Sequence, residues 1–185
     1  MADKLKNINN TWSLFLDRDG VLNHQKEGSY ILSWDEFVFY EGAITAMRLL
    51  ASHFKYIFIV TNQRGVGKGL MTEKDLQQIH HYMKRAIELA DGRIDGIYYC
   101  TELESPNRKP NTGMAYQAKN DFPDVDFSKS VMVGNSISDM EFGRNIGATN
   151  IFIPTTKPDV GRGDETIDAV YNSLEDFANA LQSLR

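Results

Sequence analysis

A chain of 185 residues that is 42% hydrophobic and 11% aromatic is long enough to bury a core and short enough to form one domain over residues 1–185. Its single cysteine, Cys100, excludes an internal disulfide and a zinc site built from several thiolates. A net charge of -5 argues against a broad nucleic-acid surface, which needs clustered Lys and Arg, and favours small-molecule chemistry.

The first ten residues are polar with no apolar stretch behind them, so they read as neither a signal peptide nor a membrane span and predict a cytoplasmic protein. Asn9-Asn10-Thr11 fits a glycosylation acceptor pattern, which carries no weight in that compartment. Trp12 to Leu16 is the first predicted strand, apolar throughout as in strands buried on both faces, and it runs into Asp17-Arg18-Asp19-Gly20. Asn23 to Tyr40 reads as irregular. Ala43 to His53 is a predicted helix with Ile44, Met47, Leu50 and Ala51 on one face. Tyr56 to Val60 is the second strand, followed by Thr61-Asn62-Gln63. The run Gly65-Val66-Gly67-Lys68-Gly69 lacks the earlier glycine and the hydroxyl after lysine that a Walker A loop needs. It reads as a mobile loop with Arg64 and Lys68 in solvent.

Thr72 to Leu89 is a helix opening on Thr72-x-x-Asp75, close to a capping box. His80 and His81 lie in its middle without a partner at metal spacing, and read as solvent-facing or packing side chains. Ile97 to Cys100 is the third strand, with Cys100 a small buried hydrophobe; Thr101 to Thr112 reads as a loop carrying Arg108 and Lys109. Ser130 to Val133 is the fourth strand, leading to Asn135 and Asp139, with a helix from Met140 to Ile146. Asn150 to Ile153 is the fifth strand, Pro154 to Thr166 is irregular, Ala169 to Tyr171 is a short sixth strand, and Ser173 to Leu184 closes the chain as a helix. No repeat or low-complexity segment is present. Strands alternating with helices predict an α/β, three-layer, Rossmann-like parallel sheet without a large cap domain, since neither Asn23 to Tyr40 nor Thr101 to Thr112 has domain length.

In open parallel sheets the site forms at the carboxyl ends of the strands, so the residues ending each strand belong together. The first strand delivers Asp17 and Asp19, the second Thr61 and Asn62, the loop after the third Lys109, and the fourth Asn135 and Asp139. Two carboxylates two residues apart serve as nucleophile with metal ligand and as proton donor when a turn points both at one centre. A hydroxyl and an amide hold phosphate oxygens, a lysine neutralises the transferring group, and an Asn/Asp pair completes an oxygen-rich magnesium site. The set suits phosphoryl transfer.

These residues resemble the four motifs of the haloacid-dehalogenase-like superfamily: Asp17-Arg18-Asp19-Gly20, Thr61-Asn62-Gln63, Lys109, and Gly134-Asn135-Ser136-Ile137-Ser138-Asp139. Within it, Phe15 to Asn23, Thr61 to Val66, Ile94 to Cys100 and Arg108-Lys109-Pro110-x-x-Gly113-Met114 are similar to the branch of heptose bisphosphate and histidinol-phosphate phosphatases, the heptose enzymes more closely. The resemblance implies a magnesium-dependent phosphatase with Asp17 as nucleophile, Asp19 as general acid and base, and Thr61 and Lys109 stabilising the phosphoryl group. It implies magnesium on Asp17, the Asp19 carbonyl and Asn135, with Asp139 behind the metal orienting a ligand water or Lys109. Asn62, Gln63, Arg64 and Arg108 are the expected substrate contacts, the two arginines toward a second phosphate. The expected partner is a small phosphorylated substrate met by a monomer, with no nucleic acid and no membrane.

Two departures from the family pattern stand out. Heptose enzymes usually carry a cysteine- and histidine-rich zinc loop before the Arg-Lys pair, whereas Cys100-Thr101-Glu102 is followed here by Asn107-Arg108-Lys109. No zinc is therefore expected. Asn135 stands where the family commonly has a metal-binding aspartate, which predicts weaker metal affinity. The competing readings are a histidinol-phosphate phosphatase, a catalytically weak binding module that keeps the fold, and a nucleic-acid 3'-phosphatase, which the acidic charge disfavours.

Overall fold

The computed structural model describes residues 5–156 and 164–184. Six parallel strands form one sheet in the order β3-β2-β1-β4-β5-β6: β1 Ser13–Leu16, β2 Tyr56–Asn62, β3 Gly96–Cys100, β4 Ser130–Gly134, β5 Thr149–Phe152 and β6 Ala169–Val170. Chain order reverses across β1, which pairs with β2 on one side and β4 on the other. That switch point opens a crevice at the carboxyl ends of the three strands.

The helices are α1 Ala43–Ala51, α2 Arg64–Gly67, α3 Glu73–Glu88, α4 Gly113–Asp121, α5 Ile137–Ile146 and α6 Leu174–Gln182. Alternation along β1 divides the core in two. Leu14 and Leu16 join Ile57, Ile59, Val131 and Val133 beneath α1, α3 and α6. Phe15 points the other way, into Phe58, Met132 and Phe142 beneath α4 and α5. The three-layer expectation holds, and no helix among the described residues is long and apolar enough to cross a membrane.

Three local readings change. A helix, α4, occupies Gly113–Asp121, where the sequence suggested none, because its core contacts are Met114 and the small Ala115 and Ala118, a weak apolar stripe. The α5 helix starts at Ile137 rather than Met140, since Ser136 caps it, with its hydroxyl accepting from the Asp139 N–H. Arg64–Gly67 is a short helix with Gly65 buried, not a free loop. Asn23 to Tyr40 is irregular, as read, apart from a short 3-10 turn at Trp34–Glu36, and is pinned at its ends: the Tyr40 N–H donates to the Leu22 carbonyl and the His24 N–H to that of Val38. Most of the segment from Pro154 to Thr166, expected to be irregular, lies outside the described residues.

Candidate active site

The strand ends converge on a cavity of about 180 Å³ lined by Asp17, Asp19, Thr61, Lys109, Asn135 and Asp139, with Gln25, Lys26, Ser29, Tyr30 and Ile31 of the pinned segment forming another wall. Gly20 makes the turn after β1 with φ of 89°, a left-handed conformation that favours glycine, and a Cβ there would stand 1.9 Å from Asn135 Nδ2. Thr155 Oγ1 donates to the Gly20 carbonyl at 2.5 Å, tying this turn to the end of the fifth strand.

Lys109 is buried at the centre. Its Nζ donates to Asp17 Oδ1 at 2.9 Å and to the Val60 carbonyl at 2.7 Å, and pairs with Asp139 Oδ1 at 2.6 Å. Burial works against its charge, but the Asp139 and Asp17 carboxylates more than offset that and raise its pKa. Asp139 has no spare oxygen: Oδ2 accepts from the Asn135 and Ser136 N–H groups and the Ser136 hydroxyl, closing the capping box of α5. A side chain 1% exposed with both oxygens engaged orients Lys109, one of the two roles expected for Asp139 behind the metal.

Burial pushes Asp17 up to about 7, with Asp139 and Asp19 adding to the rise and Lys109 opposing it. A cation would favour its ionised form. Among the described residues no three His, Cys, Asp or Glu side chains gather as a metal cage, so an ion must draw on other oxygens. The donor set fits a hard, oxygen-binding ion: among the described residues no protein hydrogen bond ends on Asp17 Oδ2, the Asp19 carbonyl or Asn135 Oδ1. The Asn135 amide is oriented by donating from Nδ2 to Thr156 Oγ1 at 3.1 Å and Gln25 Oε1 at 3.4 Å.

Asp19 is held quite differently. Its carboxylate accepts from Arg18 Nη2 at 2.9 Å, Gln63 Nε2 at 2.8 Å and Asn23 Nδ2 at 2.8 Å. Burial alone would raise its pKa, but the Arg18 charge and these hydrogen bonds bring it below the usual carboxylate range. It therefore rests ionised.

Two of the expected substrate contacts, Asn62 and Gln63, line the cavity and also hydrogen-bond within the site. Asn62 accepts from the Lys109 N–H at 3.0 Å and donates to the Lys109 carbonyl at 3.2 Å, so its amide brackets the lysine loop. Gln63 donates to Asp19 and to Thr61 Oγ1 and accepts from Arg18, so its amide is spent within the site. The two expected arginines, Arg64 and Arg108, are not among the residues lining the cavity. Arg108 Nη1 is buried with no hydrogen-bond partner, and burial, with the nearby Arg64 charge, lowers the Arg108 pKa. Two close guanidiniums with an unpaired donor form an anion-seeking feature.

Sequence reasoning left Arg18 without a role of its own and gave His80 only a solvent-facing or packing one. Arg18 is completely buried and its Nη1 lies 3.2 Å from His80 Nε2. Signals existed: a charged residue follows a fully apolar strand, and His80 falls on the buried stripe of Leu76, Ile79, Met83 and Ile87. Cys100 is buried, as expected, with its thiol donating to the Glu102 carbonyl at 3.7 Å.

Known proteins resemble this chain in sequence and in fold. Residues 106–177 match the HAD-hydrolase-like family model. The chain is 35% identical over 94% of its length to the D-glycero-alpha-D-manno-heptose-1,7-bisphosphate 7-phosphatase of Mycobacterium tuberculosis, covering 93% of that protein. It is 33% identical over 92% of its length to the D-glycero-beta-D-manno-heptose-1,7-bisphosphate 7-phosphatase of Escherichia coli K12, covering 93% of it. Among solved structures, D,D-heptose 1,7-bisphosphate phosphatase from B. bronchiseptica, complexed with magnesium and phosphate, superposes with a TM-score of 0.84 at 27% identity, covering 94% of this chain and 99% of that one.

Proposed function

Because the chain belongs to the D-glycero-D-manno-heptose-1,7-bisphosphate 7-phosphatase family of HAD-type hydrolases, we propose that it removes the 7-phosphate of such a heptose bisphosphate through an aspartyl-phosphate on Asp17, with magnesium as cofactor. The observation that carries the mechanism is the placing of Lys109 Nζ against Asp17 Oδ1 while Oδ2 accepts no protein hydrogen bond among the described residues. Lys109 orients the carboxylate, and the oxygen lone pairs it leaves unpaired are divided between the metal and attack on phosphorus.

Asp17 forms a bond to phosphorus as the bond from phosphorus to the sugar oxygen breaks. The departing electron pair stays on that oxygen, which takes a proton from Asp19. Asp19 rests ionised, and the approaching phosphoryl charge raises its proton affinity so that it enters this step protonated. In the second half, the Asp19 carboxylate takes a proton from water, the water oxygen bonds to phosphorus, and the bond to Asp17 breaks with its electrons returning to the carboxylate. The products are inorganic phosphate and the heptose 1-phosphate. Lys109 and the Thr61 hydroxyl offset charge on the transferring group. Magnesium, held by Asp17, the Asp19 carbonyl and Asn135, would supply charge that lowers repulsion between an anionic nucleophile and an anionic phosphate.

A cavity of about 180 Å³ is small beside typical ligand pockets of roughly 300–1,000 Å³, so it takes the phosphoryl end while the sugar projects toward the mouth. Arg108 and Arg64 would meet the second phosphate there. This favours a bisphosphate over histidinol phosphate, which has only one. The same reading has the chain act as a monomer in the cytoplasm, in one domain over residues 1–185 and without zinc.

Relatives named for the alpha and the beta anomer are about equally similar, so the proposal covers both. The test compares kcat/KM for both heptose bisphosphate anomers, fructose 1,6-bisphosphate and histidinol phosphate. The heptose bisphosphates should lead. Faster turnover of histidinol phosphate would overturn the substrate assignment.

A further inference from the structure

We propose that His80 is a positioning residue for the proton transfer of Asp19, acting through the buried Arg18 guanidinium. This rests on the reading of Asp19 as proton donor given above. Arg18 is 0% exposed, and its rigid fork is divided among three acceptors. Nε and Nη2 reach the Asp19 carboxylate at 3.3 and 2.9 Å, Nη2 reaches Gln63 Oε1 at 3.1 Å, and Nη1 lies 3.2 Å from His80 Nε2. A planar guanidinium is oriented only when both of its sides are held. Asp19 and Gln63 hold one side, the guanidinium carbon lies over the Phe37 ring at 5.8 Å from its centroid, and His80 is the hydrogen-bond partner on the other side.

The imidazole suits that task. It sits 5% exposed on the apolar stripe of α3, its ring 5.4 Å from that of Tyr99, a poor place for a polar side chain unless it has a partner. Arg18 can only donate, so Nε2 must be the lone-pair nitrogen, and burial beside a permanent cation keeps the ring neutral. Without that acceptor a buried N–H is left unpaired, the guanidinium turns to find another, and the Asp19 carboxylate follows it.

The test uses leaving groups. Expulsion of a sugar alkoxide needs the Asp19 proton, whereas p-nitrophenolate departs without one. Replacing His80→Leu should lower kcat for the heptose bisphosphate about tenfold more than kcat for p-nitrophenyl phosphate, with KM for each nearly unchanged. His80→Gln, which keeps an acceptor, should restore the ratio. Taking the ratio on one preparation cancels any misfolded fraction. Equal losses on the two substrates in His80→Leu, or no recovery of the ratio in His80→Gln, would overturn the positioning role. Asp19→Asn, run alongside, should show the same selectivity more strongly; if it does not, the proton-donor reading itself fails.

Discussion

Asn135 is where this chain departs most from the acid-rich metal sites its motif resembles. An amide oxygen binds magnesium without contributing charge, and Asn135 directs its nitrogen at Thr156 and Gln25. Asn135→Asp should therefore lower the magnesium concentration for half-maximal activity by severalfold. An unchanged or raised requirement would remove Asn135 from the ligand set. His80 gives a second prediction at this scale. Its pKa falls from 6.5 to about 3, through burial first and the Arg18 charge second. Below pH 6.5 the unfolded chain takes up a proton that the native chain refuses until about pH 3, so this residue makes stability fall as pH drops through that window. The contribution approaches about 1.4 kcal/mol per pH unit. Urea unfolding from pH 7 to pH 4 should show a shallower loss of stability in His80→Gln than in the wild type, and parallel slopes would contradict a neutral buried imidazole.

The β1 strand links core to chemistry within seven residues. Phe15 packs against Phe58, Phe127 and Phe142 at centroid distances of 5.2, 6.3 and 6.4 Å, and two residues later the same strand delivers Asp17. Phe15→Ala should cost about 3–5 kcal/mol of stability, read by denaturant midpoint, because the cluster cannot collapse into the void. Legibility followed the strength of local pattern. The strands were readable because both faces are covered, leaving apolar runs such as Tyr56-Ile57-Phe58-Ile59-Val60. Thr72 and Asp75 announced the start of α3 through their capping box, and the equivalent pair Ser136 and Asp139 was there to be seen. By contrast α4 escaped notice because alanines carry much of its core face. In the site, the strand-end residues were legible from spacing alone. Which partner each amide had chosen was not: Asn62 and Gln63 sit beside the cavity, but Lys109 and Arg18, remote in sequence, claim them.

At the scale of the whole molecule, a net charge of -5 opposes the approach of an anionic substrate, so binding must rest on a local field. In the proposed reading Arg64 and Arg108 would supply it, the buried Arg108 Nη1 having no hydrogen-bond partner among the described residues. Arg108→Ala should raise KM for the heptose bisphosphate about tenfold or more while leaving KM for p-nitrophenyl phosphate, which has one phosphate, nearly unchanged. Equal effects on both substrates would place Arg108 at the reacting phosphate instead. The central claim is that the phosphoryl group passes through Asp17. Its most direct test is rapid quenching of the enzyme during magnesium-dependent turnover of the heptose bisphosphate, followed by peptide mass spectrometry. The account predicts one added phosphoryl group on the peptide containing Asp17, absent in Asp17→Asn, whose turnover should fall by at least about a thousandfold. A wild-type enzyme that turns over with no phosphorylated intermediate, or an Asp17→Asn variant that keeps its rate, would contradict it.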